Sequence, residues 1–524
     1  MRSQTIIQVM FKKSPKTKQF DMFSSPSGLL CEREGRLYDD PSAWHNTFYR
    51  DVTSNIDEEI FKPLYTTEKD DNRVGRPNVP IRILVAMIIL KEGIGCSDEQ
   101  LYEHCRFNLL YRRALGMVSL DEQCPTIDSY YGFRRKLCKH EEKFNENLFD
   151  KCFKQITKQQ AKEYRISGKS IRMDSKLISS NIAWYSRYEI IQKSFVSAVT
   201  KEELERISDQ LIRQQALAFF VEDAAKTVYR TDSETMGKRL LTLGIVIDYI
   251  LTHSVSGNKP LLERVFSEQY EKSDDGVVSV RDKRKISAKS VQNPNDPDAE
   301  YRSKNKQRVK GFVTNITETV PEDGKPSLIT DVKVKGATAA DNDFFEEAVK
   351  ETEKVTGNDV ETAYVDGAYQ SEKNREFAKD KIDIISGGLQ GKPSRFDLNL
   401  KDDQTLEVTD KTTGEIKTAI PVKPDEWKIV LENADGKKSY RYFKKEHVDK
   451  AEVRRQVESI PFEERKKRNN VEAAMFQYGF HTRNNKTRYR SLFKHGLQAI
   501  ARCAWMNMRR LFWFDNKLSL QIAK

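Results

Sequence analysis

Ile171 and Met173 alternate with Arg172 and Asp174 in GKSIRMDSKLISS (168–180), so one face of an extended segment is apolar and the other carries an acid. Strand signals resume at GFVTNITETV (311–320). The turn PEDGKPS follows, with Asp323-Gly324 as its hairpin pair, and SLITDVKVKGAT (327–338) is the return strand. An amphipathic helix with an acidic start spans 341–355. TAYVDGAY (362–369) then reads as a buried strand with Asp366 at its C-terminal end, SEKNREFAKDK as a helix capped by Ser371, and IDIISGG as a short strand. Three antiparallel strands followed by alternating helix–strand units make a mixed α/β sheet.

This order resembles the ribonuclease-H-like fold. In that fold the first and fourth strands are neighbours, so Asp174 and Asp366 would meet at the sheet although 192 residues separate them. A late helix crossing the sheet could add Glu472. That residue is the one acid in the basic stretch Arg468–Arg510, and residues 461–510 hold 12 Lys/Arg against 3 Asp/Glu. Val471, Ala474, Met475 and Tyr478 recur at helical spacing, which puts Arg468 and Glu472 on one helix face. The plain reading of that pair is a solvated ion pair; the sharper one is a metal-binding carboxylate over a phosphate-binding surface. Three converging carboxylates resist ionising together. A hard divalent cation relieves this and leaves room for water and phosphate oxygens. The seven scattered cysteines include no CxxC, so no zinc ribbon or redox pair competes, and they are expected as reduced thiols.

The rest of the chain divides by texture. Residues 1–75 are expected to be an irregular arm. Residues 76–160 read as a helical DNA-binding domain: IRILVAMIILKEG stopped by Gly93 and Gly95, LYEHCRFNLLYRRAL after the capping box Ser97–Gln100, and a long third helix from Pro125-Thr126. Arg106, Arg112, Arg113, Arg134 and Arg135 are expected on its surface, either as a helix-turn-helix-type reader or as solvated charges. The catalytic core spans 165–391, with a helical insertion at 184–300. Residues 392–460 form a β-rich insertion with short alternating runs and turn pairs such as Asp435-Gly436; 461–524 return to the core with Glu472. Ninety Lys/Arg against 79 Asp/Glu leave a charge of +11, which favours a polyanionic partner. No signal segment or membrane span is legible, so the expected location is the cytoplasm.

Four stretches resemble the DDE transposases of bacterial insertion sequences: GRPNVPIRILVAMIILKEGIGCSDEQLYEHCRFNLLYRRALGM, RMDSKLISSN, ATAADND with AYVDGAYQSEKN, and RNNVEAAMFQYGFHTRNNKTRYRSLFKHGLQAIARCAWMNMRRL. The resemblance implies a catalytic triad of Asp174, Asp366 and Glu472 binding Mg²⁺, with Mn²⁺ as a substitute. It implies DNA contacts by Arg468, Arg483, Lys486, Arg488 and Arg490, and a homodimer on double-stranded DNA at the element's ends and target. Some relatives carry a Tyr-two-Arg-three-Glu-six-Lys signature. Arg468 fits its Arg, while Arg465 and Gly479 stand at the Tyr and Lys positions. The implied activity is cleavage at the element's ends and strand transfer. Its rivals are a catalytically inactive DNA-binding relative and a metal-dependent nuclease without strand transfer.

The remaining candidates have plainer expectations. GGLQGKPS (387–394) fails as a phosphate-binding loop because it is one residue short and Pro393 replaces Ser/Thr. Asp331, Asp341 and Asp343 suit turn and cap roles. Glu222, Asp223 and Glu263 are expected to be solvated, His481 to lie on the surface, and Trp184, Tyr185 and Trp505 to pack in the core rather than stack on a base.

Overall fold

A computed structural model describes residues 9–14, 26–65, 76–253, 259–304, 307–322, 324–387, 394–401, 404–432 and 438–522. Most of GGLQGKPS, Asp323 of the hairpin pair and Asp435-Gly436 lie outside the described residues.

The helical N-terminal region starts earlier than its sequence texture suggests. Within the stretch expected to be irregular, α1 (Glu32–Asp39) and α2 (Trp44–Asp51) are followed by 3₁₀ turns at Thr53–Asn55 and Glu58–Leu64. Phe48, Val52 and Phe61 are fully buried there. Helix α3 (Ile81–Ile94) is the hub: every residue from Ile83 to Gly93 is buried. Gly95 closes it in the left-handed region (φ 80°), returning its N–H to the Lys91 carbonyl at 2.8 Å.

The Ser97–Gln100 capping box opens α4 (Asp98–Phe107) as expected, with both reciprocal bonds made. Two breaks were not foreseen. Asn108 ends α4 and caps a separate α5 (Leu109–Ala114), accepting the Leu110 N–H at 3.0 Å. Asn145, at φ 51°, divides the long third helix into α6 (Ile127–Phe144) and α7 (Leu148–Glu163). In both cases an Asn side chain or its tolerance of the left-handed region overrides a continuous helical pattern.

Six strands form the central sheet: β1 (Ser170–Ser179), β2 (Glu300–Lys304), β3 (Gln307–Thr319), β4 (Ile329–Gly336), β5 (Thr362–Val365) and β6 (Asp383–Ser386). Their order is β6-β5-β1-β3, and β2 and β4 both pair with the far edge of the long β3. β1 and β3 are antiparallel; β5 runs parallel to β1 and β6 parallel to β5. The fold is therefore mixed α/β with a helical N-terminal region.

The alternation read in β1 sets its two faces. Ile171 and Met173 pack with Phe345 and Val349 of α8 (Phe345–Thr356) and with Ala363 and Val365 of β5. The opposite face receives α11 (Asn470–Gly479) and α12 (Leu492–Ile522). Helices α9 (Glu372–Ala378) and α10 (Lys445–Ser459) come between α8 and α11 in the chain. One apolar cluster joins α3, α6 and α7 to Ile178, Ile316 and Val332 of the sheet and to Ala474, Met475, Ala501 and Met508. The helical region and the sheet thus share a core.

Both insertions have interiors of their own. The first holds helices such as Arg187–Ala198, Ser233–Thr252 and Pro260–Gln269, plus a hairpin of Tyr270–Lys272 and Val278–Val280. The second is more than one small sheet. Two three-stranded antiparallel sheets share a core with α10 through Phe396, Leu406, Trp427, Phe443 and Val448. Among the described residues, no helix is long and apolar enough to cross a membrane.

Candidate active site

Residues Ser170, Ile171 and Arg172 of β1 face Thr362, Ala363 and Tyr364 of β5 in parallel register. Extending that register brings Asp366, at the end of β5, level with Asp174. Each carboxylate accepts the next residue's N–H: Ser175 at 2.8 Å from Asp174 and Gly367 at 2.7 Å from Asp366. Burial is the main cause that pushes the Asp174 carboxyl up to about 6; the charges of Asp366 and Asp341 add to it, while the Ser175 N–H and Arg468 oppose it.

Glu472 sits in the first turn of α11, whose Val471, Ala474, Met475 and Tyr478 are buried as the helical spacing predicts. Its carboxylate is 65% exposed. Arg468 spans the gap, with Nη2 3.5 Å from Asp174 Oδ2 and Nη1 3.9 Å from Glu472 Oε1. The expected ion pair along the helix is present, and the same guanidinium also reaches across to the strand. The structure therefore brings Asp174 and Asp366 together and ties Glu472 to Asp174 through Arg468. As the side chains stand, no three His, Cys, Asp or Glu residues among those described are close enough to hold a metal ion.

Buried polar contacts fix α11 and α12 on this face. Arg172 and Arg510 both bond the fully buried Glu318, and Arg172 also donates to the Lys467 carbonyl at 3.3 Å. Lys176, on the same face of β1 as Asp174, donates to the Met475 carbonyl at 3.2 Å. A Cβ at Gly479 would lie 2.6 Å from the Lys176 ammonium, so the small residue makes room for a cation supplied by the strand.

The basic candidates behave differently from one another. Arg488 donates to the Gly95 and Cys96 carbonyls at 2.9 and 2.8 Å, closing the end of α3. Arg490 donates to Asn181 at 2.8 Å and Lys486 to Ile182 at 3.3 Å. These three tie the C-terminal block to neighbouring loops, while the Arg483 side chain is exposed. Arg112, expected at the surface, is buried and donates to the Ser119 and Glu122 carbonyls at 2.7 Å each. Arg134 faces Asp98 at 3.3 Å, whereas Arg135 is exposed.

Several plain expectations need correction. Asp331 is neither a turn nor a cap residue: it is wholly buried on β4, 3.6 Å from Lys154, and burial pushes its carboxyl up to about 6. Asp343 does cap, accepting the Ala340 N–H at 3.0 Å. Asp341 accepts the Ser175 hydroxyl and lies 3.8 Å from Lys304, so its charge is felt at Asp174. Glu222 is not solvated; Tyr188 donates to it at 2.9 Å and Arg239 pairs with it. Asp223 caps a helix and Glu263 is exposed. His481 is exposed, as expected, and donates to the Gly93 carbonyl at 3.1 Å. Trp184 is 53% exposed, with Lys310 over its ring, rather than in the core. Tyr185 packs against the insertion's core, and Trp505 packs on Trp44 and Phe48.

Asp341 and the contact of Arg468 with Asp174 went unread in the sequence. The ATAADND segment held the first, but nothing in its spacing distinguishes Asp341 from a capping residue. Residues 38–136 match a family model described as Transposase domain (DUF772), and this match supports a transposase identity for the chain. The matched region runs from Tyr38 in α1 to Lys136 in α6, so it includes part of the stretch expected to be irregular. No curated protein and no solved structure matches the chain.

Proposed function

We propose that the chain is a transposase of the DDE type, with a ribonuclease-H-like core and Asp174, Asp366 and Glu472 as its catalytic acids. The observation that supports this best is the level placement of Asp174 and Asp366 on adjacent parallel strands, with the helix of Glu472 laid over the same face. The transposase-domain match in the helical region makes DNA the natural substrate.

The donor set fits a hard divalent cation. All three side chains offer carboxylate oxygen, and burial together with the charges of Asp366 and Asp341 disfavours a negative Asp174, which a bound cation would relieve. Asp174, Asp366 and Glu472 would hold Mg²⁺ or Mn²⁺. Such an ion would promote deprotonation of the attacking oxygen and offset charge on the leaving one. Arg468 lies between Asp174 and Glu472, and its guanidinium suits a scissile phosphate. The exposed Glu472 carboxylate is free to change rotamer toward the strands.

In the first step a water oxygen forms a bond to phosphorus and the P–O3′ bond breaks. The attacking water gives up a proton to solvent and the leaving 3′-oxygen takes one up, which leaves a 3′-hydroxyl and a 5′-phosphate. In the second, the freed 3′-hydroxyl loses its proton to solvent and its oxygen bonds to the phosphorus of a target phosphodiester, while the target's P–O3′ bond breaks and that 3′-oxygen takes up a proton. Two ends must be held at once, so a homodimer on DNA belongs to the proposal.

The test is incubation of the purified chain with Mg²⁺ and DNA carrying the element's own termini. Cut ends and a joined product support the reading. Cleavage without joining supports a nuclease, and binding without cleavage supports an inactive DNA-binding relative.

A further inference from the structure

A groove of about 550 Å³ lies between Pro321 and Lys325 of the β3–β4 connection, Gln477 of α11 and the middle of α12. Lys325, Gln477, Trp505, Arg509, Arg510 and Trp513 are among its lining residues, and none of the described lining residues is acidic. Its cations are unequally occupied. Lys325 pairs with Glu322 and Arg510 with Glu318, but Arg510 Nη1 is buried without a hydrogen-bond partner. Arg509 makes no hydrogen bond or ion pair among the described residues. Its guanidinium lies 5.1 Å from the Phe512 ring centroid and 5.4 Å from that of Trp513. Burial lowers its affinity for the proton. Trp513 is 61% exposed beside it.

A half-buried cation with no counter-ion among the described residues, stacked on an exposed indole, is short of an anion with a flat face attached. A nucleotide supplies both: the phosphate satisfies the guanidinium and the base stacks on the indole. The groove also connects physically to the candidate site. Arg510 bonds Glu318, Glu318 bonds Arg172, and Arg172 donates to Lys467, the neighbour of Arg468. Gln477 of the groove and Glu472 of the site lie on the same helix.

We propose that this groove binds an unpaired DNA strand next to the cleavage site, with Arg509 on a phosphate and Trp513 stacked on a base. The proposal rests on the reading that the chain works on DNA, and not on the acids cutting it. A base can reach an indole face only when it is unstacked, so the groove favours a single-stranded tail over a blunt duplex.

Fluorescence anisotropy in the presence of chelator tests this, with a labelled blunt duplex and the same duplex carrying a single-stranded tail. Wild type should bind the tailed DNA more tightly. Arg509→Gln and Trp513→Leu should each weaken tailed-DNA binding roughly tenfold and leave the blunt duplex little changed. Trp513→Phe should keep most of the preference. Thermal melting of each variant checks that the fold is intact; both side chains lie at the surface of α12. Equal affinity of wild type and variants for tailed DNA, or equal losses on both DNAs, overturns the groove. Failure of wild type to bind either DNA overturns the DNA reading itself.

Discussion

Arg468 lies 3.5 Å from Asp174, although 294 residues of chain separate a helix residue from a strand residue. The guanidinium is the compensating charge that lets a half-buried carboxylate exist beside Asp366 and Asp341. Removing it raises the Asp174 carboxyl further above about 6. Without added metal, the Asp174 carboxyl followed by NMR should titrate at a higher pH in Arg468→Gln than in wild type. An unchanged titration would show that Arg468 does not govern Asp174.

Glu318 is wholly buried between Arg172 and Arg510, and this triad fixes α12 against the sheet. Glu318→Ala leaves two cations facing each other without their shared partner. Breaking a buried ion pair in this way costs about 3–5 kcal/mol. Urea denaturation should show a loss of that order; a change within about 0.5 kcal/mol would mean the triad contributes little.

His495 is stacked on Phe312 and lies 3.3 Å from both Thr314 Oγ1 and the Tyr478 hydroxyl, so it bridges the sheet, α11 and α12. Complete burial lowers its imidazole from 6.5 to about 3. Unfolding therefore exposes a group that takes up a proton more readily. Its contribution to stability is complete above pH 6.5 and is lost as the pH falls toward 3, with a slope of about 1.4 kcal/mol per pH unit inside that window. Denaturation curves between pH 6 and 5 should lose stability more steeply in wild type than in His495→Gln; equal slopes would contradict this account.

Gly311 lies where β3 crosses β1, and a Cβ there would meet the Ile178 carbonyl oxygen at 2.2 Å and the Ser180 nitrogen at 2.7 Å. Both are backbone atoms of a paired strand and cannot turn away. Gly311→Ala should cost about 3 kcal/mol by forcing the two strands apart. A thermal midpoint equal to that of wild type would contradict the close approach.

What was legible in the sequence follows from the range over which each interaction acts. The alternation Ile171/Met173 against Arg172/Asp174 and the Ser97–Gln100 capping box are local, and both stand in the structure as read. The level placement of Asp174 and Asp366 was expected only through the resemblance of the strand order to the ribonuclease-H-like fold, in which the first and fourth strands are neighbours. Helices α1 and α2 were missed because eight-residue segments are too short for a helical period to stand out, and a few residues such as Phe48 anchor them. Asn108 and Asn145 end helices through capping and backbone conformation that a hydrophobic pattern does not register. The burial of Asp331 and Glu222 and the reach of Arg468 to Asp174 depend on distant segments, which no local spacing encodes.

The central claim is that three carboxylates act as one site. Asp174→Asn, Asp366→Asn and Glu472→Gln, each assayed with Mg²⁺ on DNA carrying the element's termini, test it most directly. Each amide should leave DNA binding intact and lower cleavage by about a thousandfold. Cleavage at the wild-type rate by any one of the three variants would contradict it.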